Sequence, residues 1–163
     1  MRILLDRYHP NQIEIGSLAE DSAMDVDIEG RRERWRVPRQ SILYGLLAWL
    51  GSMQACIPVT ALLDTGADLT LVKAAKVAEL EDALGVAIPV IRRIRANGIM
   101  KDAFDFAFLL PETMHLCSSA YGFLRVDDAD LGAVDFLLGQ DLLNQWIVIL
   151  DGMNGTVTIG VPE

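Results

Sequence analysis

The chain has 163 residues, of which 52% are hydrophobic and 23% charged, an ordinary balance for one globular domain with a short additional arm. Its 23 acidic and 14 basic side chains give a formal net charge of −9 at pH 7, which disfavours broad binding to nucleic-acid phosphates or anionic lipid. Two cysteines and two histidines are too few for a disulfide framework or a histidine-rich metal site, and we expect neither a metal nor another cofactor.

The first 40 residues differ from the rest in charge pattern. Residues 1–30 contain seven acidic and two basic side chains, whereas residues 31–39 contain five arginines and one glutamate. This split indicates an N-terminal arm or edge hairpin over residues 1–40, followed by one domain over residues 41–163. The arginine block is either a solvated basic loop or a segment that faces the acidic block.

Two short segments of this arm, residues 12–15 and 24–28, alternate only weakly between apolar and polar side chains. We therefore predict weak strands there. The apolar run near the N-terminus is three residues long, which is too short for the core of a signal peptide. We therefore expect a cytoplasmic protein.

Residues 40–63 contain no charge and follow an arginine-rich segment, so they resemble a membrane-spanning helix in length and in flanking charge. Against that interpretation, Gly51-Ser52-Met53-Gln54 has the composition of a turn, and Pro58 interrupts the second half. Residues 42–50 and 56–63 each have the length of a buried strand. We predict a hairpin of two buried strands and keep a membrane-tethered protein as the alternative.

The second of these strands runs directly into Asp64-Thr65-Gly66. A carboxylate at the end of a hydrophobic strand is unusual, because burying an unpaired charge is costly. A threonine can hydrogen-bond to backbone and a glycine allows chain or ligand to come close, which is useful in a functional loop. An ordinary turn after a strand is the alternative interpretation.

A short strand over residues 69–72 and a helix over residues 73–84 follow. Val77, Leu80 and Leu84 share one face of that helix, and Gly85 occupies the position where helices commonly end in the left-handed conformation.

Asn97-Gly98 separates two strand-like segments, residues 90–96 and 99–110. This dipeptide is the strongest short-range hairpin signal, because a type I′ turn needs positive φ at both central residues. A two-residue turn fixes the register of the facing residues. The predicted pairs are Ala96 with Ile99, Arg95 with Met100, Arg93 with Asp102, and Ile91 with Phe104.

The last third of the chain alternates strands and turns. The predicted elements are a loop over 111–119, a strand over 121–126, a strand over 136–139, a helix over 140–146 with Leu142, Leu143 and Trp146 inward, and a final hairpin of residues 147–150 and 156–159.

Two of these segments together resemble the signatures of retropepsin-like aspartic proteases. Leu62-Leu63-Asp64-Thr65-Gly66-Ala67-Asp68 is similar to the catalytic loop of that family, and Phe136-Leu137-Leu138-Gly139 running into a short helix is similar to its second motif. The resemblance covers about residues 42–160. The helix over 73–84 and the final hairpin make it more similar to cellular and bacterial members than to viral ones.

The resemblance implies a mainly β fold: an acid-protease β-barrel with two short helices, at about 73–84 and 140–146, and a flap hairpin. It also implies an aspartic endopeptidase that acts on a peptide or protein substrate. Proteolysis of this kind needs two carboxylates, and the chain has one Asp-Thr-Gly, so the second carboxylate would come from Asp64 of another copy in a homodimer.

The resemblance further implies a role for each matching residue. The final hairpin is the expected interface element. The implied site residues are Asp64 as the catalytic carboxylate, Thr65 and Gly66 as loop supports, Ala67 and Asp68 as substrate main-chain contacts, Asn97, Gly98 and Ile99 as the flap, and Leu137, Leu138 and Gly139 as the scaffold of the second motif.

One position departs from the viral pattern. Where viral members have Gly-Arg-Asp/Asn, this chain has Gly139-Gln140-Asp141, so the arginine that would pair with Asp68 is absent. A catalytically silent module that binds peptides or only dimerises is the alternative function. His115 and Cys117 lie two residues apart, but a thiol nucleophile is recognised by spatial geometry and not by such proximity.

Overall fold

The computed structural model describes residues 13–16, 23–28, 31–36, 42–111, 114–151 and 156–161. Fourteen strands and three helices lie in these ranges. The strands are β1 Ile13–Gly16, β2 Ala23–Ile28, β3 Arg31–Arg36, β4 Ile42–Trp49, β5 Ser52–Leu63, β6 Leu71–Lys73, β7 Val90–Ala96, β8 Ile99–Phe104, β9 Phe106–Leu110, β10 His115–Ser118, β11 Phe123–Val126, β12 Phe136–Leu138, β13 Ile147–Asp151 and β14 Thr156–Gly160. The helices are α1 Ala74–Leu84, α2 Asp128–Leu131 and α3 Gln140–Leu143.

Nine strands form one central sheet in the order β10-β9-β4-β5-β12-β6-β11-β8-β7. Two of its neighbouring pairs, β5 with β12 and β6 with β11, are parallel, and the others are antiparallel. No pairing among the described residues joins the edge strands β10 and β7 to each other. The mainly β class is confirmed. The central sheet is not closed over the described strands, so the acid-protease barrel remains a prediction.

Two smaller sheets involve the N-terminal residues. β1 pairs with β14, which pairs with β13, so the start of the chain joins the final hairpin. β2 pairs with β3 in a separate hairpin, whose register places Asp25 opposite Arg34 and Asp27 opposite Arg32. The two weak strands of the arm are thus confirmed, with residue 12 outside the described residues. The interpretation of residues 31–36 as a solvated basic loop is wrong, because these residues form β3. Opposite charges at the paired positions of β2 and β3 favour this strand.

The uncharged segment forms an antiparallel hairpin of β4 and β5, as predicted. The predicted turn over residues 51–54 is wrong in extent, because the turn is Leu50-Gly51 and β5 already begins at Ser52. The pairing of the hairpin is irregular between Ala48, which faces Cys56, and Trp49, which faces Ser52. Within the described ranges, the structure contains no helix with both the length and the apolar composition needed to cross a membrane.

The hairpin of β7 and β8, hereafter the Asn-Gly hairpin, has the predicted two-residue turn, with φ of 50° at Asn97 and 78° at Gly98. Three of the four predicted pairs are confirmed, including Arg93 with Asp102. The fourth is wrong: Val90 and not Ile91 faces Phe104, because the register shifts between Val90 and Arg92. Phe104 is buried in the core, which draws β8 inward at the base of the hairpin.

The helices match the predictions in part. Helix α1 begins one residue later than predicted and ends at Gly85, whose φ of 70° and N–H bond to the Glu81 carbonyl oxygen are those of a left-handed cap. Helix α3 is a single turn and stops at Leu143, short of the predicted residue 146, although Leu142, Leu143 and Trp146 are buried as predicted. Helix α2 has no apolar periodicity and was not predicted.

Two strand boundaries also need correction. The predicted loop over 111–119 contains β10, which pairs with β9. Its sequence does not alternate, so only the exposed edge of β9 explains its pairing. The predicted strand over 99–110 is divided at Asp105 into β8 and β9.

All five phenylalanines of the chain lie in one buried core. Phe136, on β12, packs edge-on against Phe123 with ring centroids 5.5 Å apart, and its ring lies 6.2 Å from that of Phe108. β12 and its neighbour β5 both bury side chains in this core, among them Leu138 of β12 and Val59 of β5.

Candidate active site

Asp64 lies where two parallel strands end together. Leu137 pairs with Leu62 and Leu138 with Leu63, and the Asp64 N–H donates to the Leu138 carbonyl oxygen at 3.1 Å. The β5–β12 ladder is thus extended by one bond into the loop. As a result Asp64 is half-buried at the point where these two central strands of the sheet end.

The residues that follow fold back onto the carboxylate of Asp64. The Gly66 N–H donates to Asp64 Oδ1 at 2.9 Å, and the Ala67 N–H donates to the Asp64 carbonyl oxygen at 3.3 Å. A Cβ at Gly66 would lie 3.2 Å from Asp64 Oδ1, so glycine permits this close approach. Thr65 and Gly66 are exposed, and the loop therefore presents a carboxylate that other molecules can reach.

Residues 64–70, hereafter the Asp64 loop, are anchored at their far end by a buried threonine. Thr70 is 0% exposed, and its Oγ1 donates to Asp141 Oδ1 at 2.7 Å while accepting from the Gly139 N–H at 3.2 Å. Asp141 Oδ1 also accepts from the Leu142 N–H at 3.0 Å. The second oxygen, Asp141 Oδ2, is buried and has no partner among the described residues.

The bond between Thr70 and Asp141 was not predicted from the sequence. Asp141 stood within the second motif, but nothing in the local sequence of either residue indicates the other. The two are 71 positions apart.

The second motif, residues 136–143, lies directly against the Asp64 loop. A Cβ added at Gly139 would lie 2.5–2.8 Å from the backbone carbon, oxygen and nitrogen of Leu69. The Gln140 N–H donates to the Ala67 carbonyl oxygen at 2.8 Å, and the Asp141 N–H donates to the Asp68 carbonyl oxygen at 3.2 Å. The structure thus brings together the two segments that carried the sequence resemblance.

Asp68 is exposed, and its carboxylate makes neither an ion pair nor a hydrogen bond with any described residue. Its carbonyl oxygen, by contrast, is held by the second motif. The backbone around Ala67 and Asp68 is therefore fixed while the Asp68 side chain stays available.

Asn97, Gly98 and Ile99 form the exposed tip of the Asn-Gly hairpin, where Ile99 is 60% exposed. In the part of the chain that the structure describes, the side-chain hydrogen bonds and ion pairs of this hairpin stay within it or lead to β11 and α2, and not to the Asp64 loop. The structure therefore does not bring these three predicted site residues into hydrogen-bond contact with Asp64.

The thiol of Cys117 does not have the properties of a nucleophile. Cys117 is buried, burial raises its pKa to about 12, and the Trp146 Nε1–H donates to its sulfur at 3.0 Å. A thiol that holds its proton this firmly is inert at neutral pH. Burial also lowers the pKa of His115.

Comparisons with known proteins add one structural likeness. No family model matches the chain, and no curated protein matches it. Among solved structures, the crystal structure of the retroviral protease-like domain of Ddi1 from Leishmania major is 19% identical, covers 74% of this chain and 92% of that chain, and has a TM-score of 0.46. At this identity and TM-score the likeness supports no functional statement. Any function is therefore inferred from the residues of the chain itself.

Proposed function

We propose that the chain is a retropepsin-like aspartic endopeptidase that acts as a homodimer. The observation that carries this proposal is the geometry of Asp64. It stands at the shared end of β5 and β12, with Oδ1 held by the Gly66 N–H and the adjoining residues exposed. A carboxylate fixed in this way, on rigid strands and open to other molecules, is suited to act on a bound substrate.

The proposed reaction uses two carboxylates that share a proton. One takes a proton from a water molecule, which attacks the scissile carbonyl, while the other donates a hydrogen bond to the carbonyl oxygen. One chain contains one Asp-Thr-Gly sequence, and a two-fold axis next to the exposed Thr65 and Gly66 would supply the second Asp64.

The remaining residues take supporting roles in this proposal. Thr65 would brace the two loops across the axis, and the fixed backbone at Ala67 and Asp68 would hold the main chain of the substrate. The Asn-Gly hairpin would serve as the flap, with Asn97, Gly98 and the exposed Ile99 closing over the peptide and excluding water.

The final hairpin is the proposed interface element. β13 and β14 form a sheet with β1, and Ile149 on β13 is 43% exposed. An exposed apolar side chain on this sheet fits a contact between copies.

The test is digestion of a proteome-derived peptide library by the purified full-length protein, with Asp64→Asn as the control. We expect cleavage by the wild type, its loss in the variant, and inhibition by a statine, which mimics the transition state. Binding of peptides without cleavage would favour the alternative of a silent peptide-binding module.

A further inference from the structure

Gln140 reaches the Asp64 loop with its side chain as well as its backbone. Its Nε2 donates to the Thr65 carbonyl oxygen at 2.6 Å, and the side chain is half-buried. This is the position at which the second motif has a glutamine instead of the arginine of viral proteases. The residue that replaces the arginine thus contacts the loop at Thr65, one position after the candidate catalytic residue Asp64.

The Thr65 carbonyl and the Gly66 N–H belong to one planar peptide group. Gln140 holds the carbonyl end of this group, and the Gly66 N–H at the other end donates to Asp64 Oδ1 at 2.9 Å. Because the group is planar, fixing the direction of its C=O also fixes the direction of its N–H. Hydrogen bonds arranged in a chain also polarise one another, so the Gln140 amide makes the Gly66 N–H a stronger donor.

The rest of the loop is held by backbone atoms of the second motif. The N–H groups of Gln140 and Asp141 donate to the carbonyl oxygens of Ala67 and Asp68. The Gln140 amide extends this row of contacts back to Thr65. Of these three bonds it is the one that involves a side chain, so a substitution can remove it and leave the other two.

A glutamine supplies its donor without a charge. Asp64 and the exposed Asp68 lie on the same loop, and a cation at position 140 would be drawn to either carboxylate. A neutral amide instead remains on the Thr65 carbonyl and leaves the Asp68 carboxylate without an ion-pair partner among the described residues.

We propose that Gln140 is a positioning residue for Asp64: it orients the Thr65–Gly66 peptide so that the Gly66 N–H holds Asp64 Oδ1. The effect on turnover rests on the proposed peptidase function. The effect on the Gly66 amide does not, since it follows from the hydrogen-bond geometry alone.

The test compares two glutamines of the same segment in the full-length protein. Gln140→Met removes the amide and keeps the length of the side chain. Gln145→Met is the matched control, because Gln145 Nε2 also donates to backbone oxygens, those of Ser118 at 2.8 Å and Asp141 at 2.9 Å, neither of which belongs to the Asp64 loop. The measurements are the chemical shift and hydrogen exchange of the Gly66 amide by NMR, and kcat and KM on a cleaved peptide.

We expect Gln140→Met to move the Gly66 amide proton upfield, to speed its exchange, and to lower kcat about tenfold with KM little changed. Gln145→Met should leave all four quantities near the wild-type values. Gln140→Glu keeps the shape but replaces the donor with an acceptor, so it should move the Gly66 proton in the same direction.

An unchanged Gly66 amide in a folded Gln140→Met protein would overturn the inference. If that variant does not fold, an unchanged Gly66 amide in Gln140→Glu does the same. Equal losses of kcat in Gln140→Met and Gln145→Met also overturn it, because they indicate a general structural role. A wild-type protein without peptidase activity contradicts the proposed function, and the Gly66 amide then still decides the role of Gln140.

Discussion

The Asp64 loop and the Asn-Gly hairpin are held in place by opposite means. The loop is fixed by contacts between residues distant in sequence, such as the buried Thr70 hydroxyl with Asp141, 71 positions away. The tip of the hairpin is set by its own turn and by an exposed ion pair between Arg93 and Asp102, nine positions apart, and its base joins the central sheet through β11. In the proposed enzyme this difference is useful, because the carboxylate must be rigid and the flap must move.

The largest expected effect concerns Asp64 itself. Asn is nearly isosteric with Asp but cannot share the catalytic proton, so Asp64→Asn should fold and dimerise while its activity falls by orders of magnitude. Mixing equal amounts of wild type and variant tests whether two chains build one site. After random exchange about a quarter of the dimers are wild-type pairs, and activity per wild-type chain should fall to about half.

The control for this mixture is proof of exchange, for example by mass spectrometry of differently labelled chains. Activity per wild-type chain that stays at its starting value despite exchange would mean that each chain carries a complete site. The proposal of a shared two-fold site would then be wrong.

A glycine packed against the Asp64 loop and a glycine in the turn of the Asn-Gly hairpin should respond differently to replacement by alanine. At Gly139 a Cβ would lie 2.5 Å from the backbone of Leu69, which cannot move away without disturbing the loop. We expect Gly139→Ala to lower the free energy of unfolding by about 3 kcal/mol. At Gly98 there is open space and only the φ of 78° is unfavourable, so Gly98→Ala should cost about 1 kcal/mol.

Urea denaturation of both glycine variants measures the two costs, and the Gly160→Ala variant is the control, because its new Cβ would lie 3.4 Å from Ile147 Cβ. Equal costs at Gly139 and Gly98 would remove the distinction between a packed loop and an open hairpin.

Thr70→Val tests the distant bond that anchors the loop. Valine keeps the volume but leaves Asp141 Oδ1 and the Gly139 N–H each without their Thr70 partner in a buried environment. The expected loss is about 2 kcal/mol in the free energy of unfolding, measured by urea denaturation. Thr158→Val is the matched control, since the Thr158 hydroxyl makes no hydrogen bond with a described residue. A Thr70→Val protein as stable as this control would contradict the anchoring role.

The same contrast explains which features the sequence predicted. The turn at Asn97-Gly98 and the pairs next to it are set by local backbone chemistry, and the structure confirms them. Local patterns also predicted the β4–β5 hairpin and the left-handed cap at Gly85. Each of these depends on residues close together in sequence, of which the most distant are Ile42 and Leu62 at the open end of the β4–β5 hairpin.

The features that were missed leave no signal in the local hydrophobic pattern, whether their partners are near or distant in sequence. The shift at Ile91 arises at the base of its hairpin, where Phe104 belongs to the core, and β10 forms because β9 offers it an edge. The bond between Gln140 and Thr65 joins residues 75 positions apart. The two segments of the candidate site could thus be named from the sequence, whereas the contacts that hold them together could not.

The smallest expected effect comes from the ion pairs of the hairpin. Asp102 bonds to Arg93 at 3.0 Å and to Arg125 of β11 at 2.7 Å, but the two arginine side chains are 70% and 43% exposed. Solvent screening therefore limits the Arg93 contribution to about 0.5 kcal/mol. Arg125 also lies over the Phe104 ring, 5.6 Å from its centroid, so Arg125→Met should cost more, about 1 kcal/mol.

Denaturation of Arg93→Met, Arg125→Met and the double variant at low and high salt separates these contributions. Salt should reduce the cost of Arg93→Met and leave more of the Arg125→Met cost, because stacking on a ring is screened less than an exposed ion pair. A salt-independent loss at Arg93 as large as that of Thr70→Val would show that the hairpin is held as firmly as the Asp64 loop.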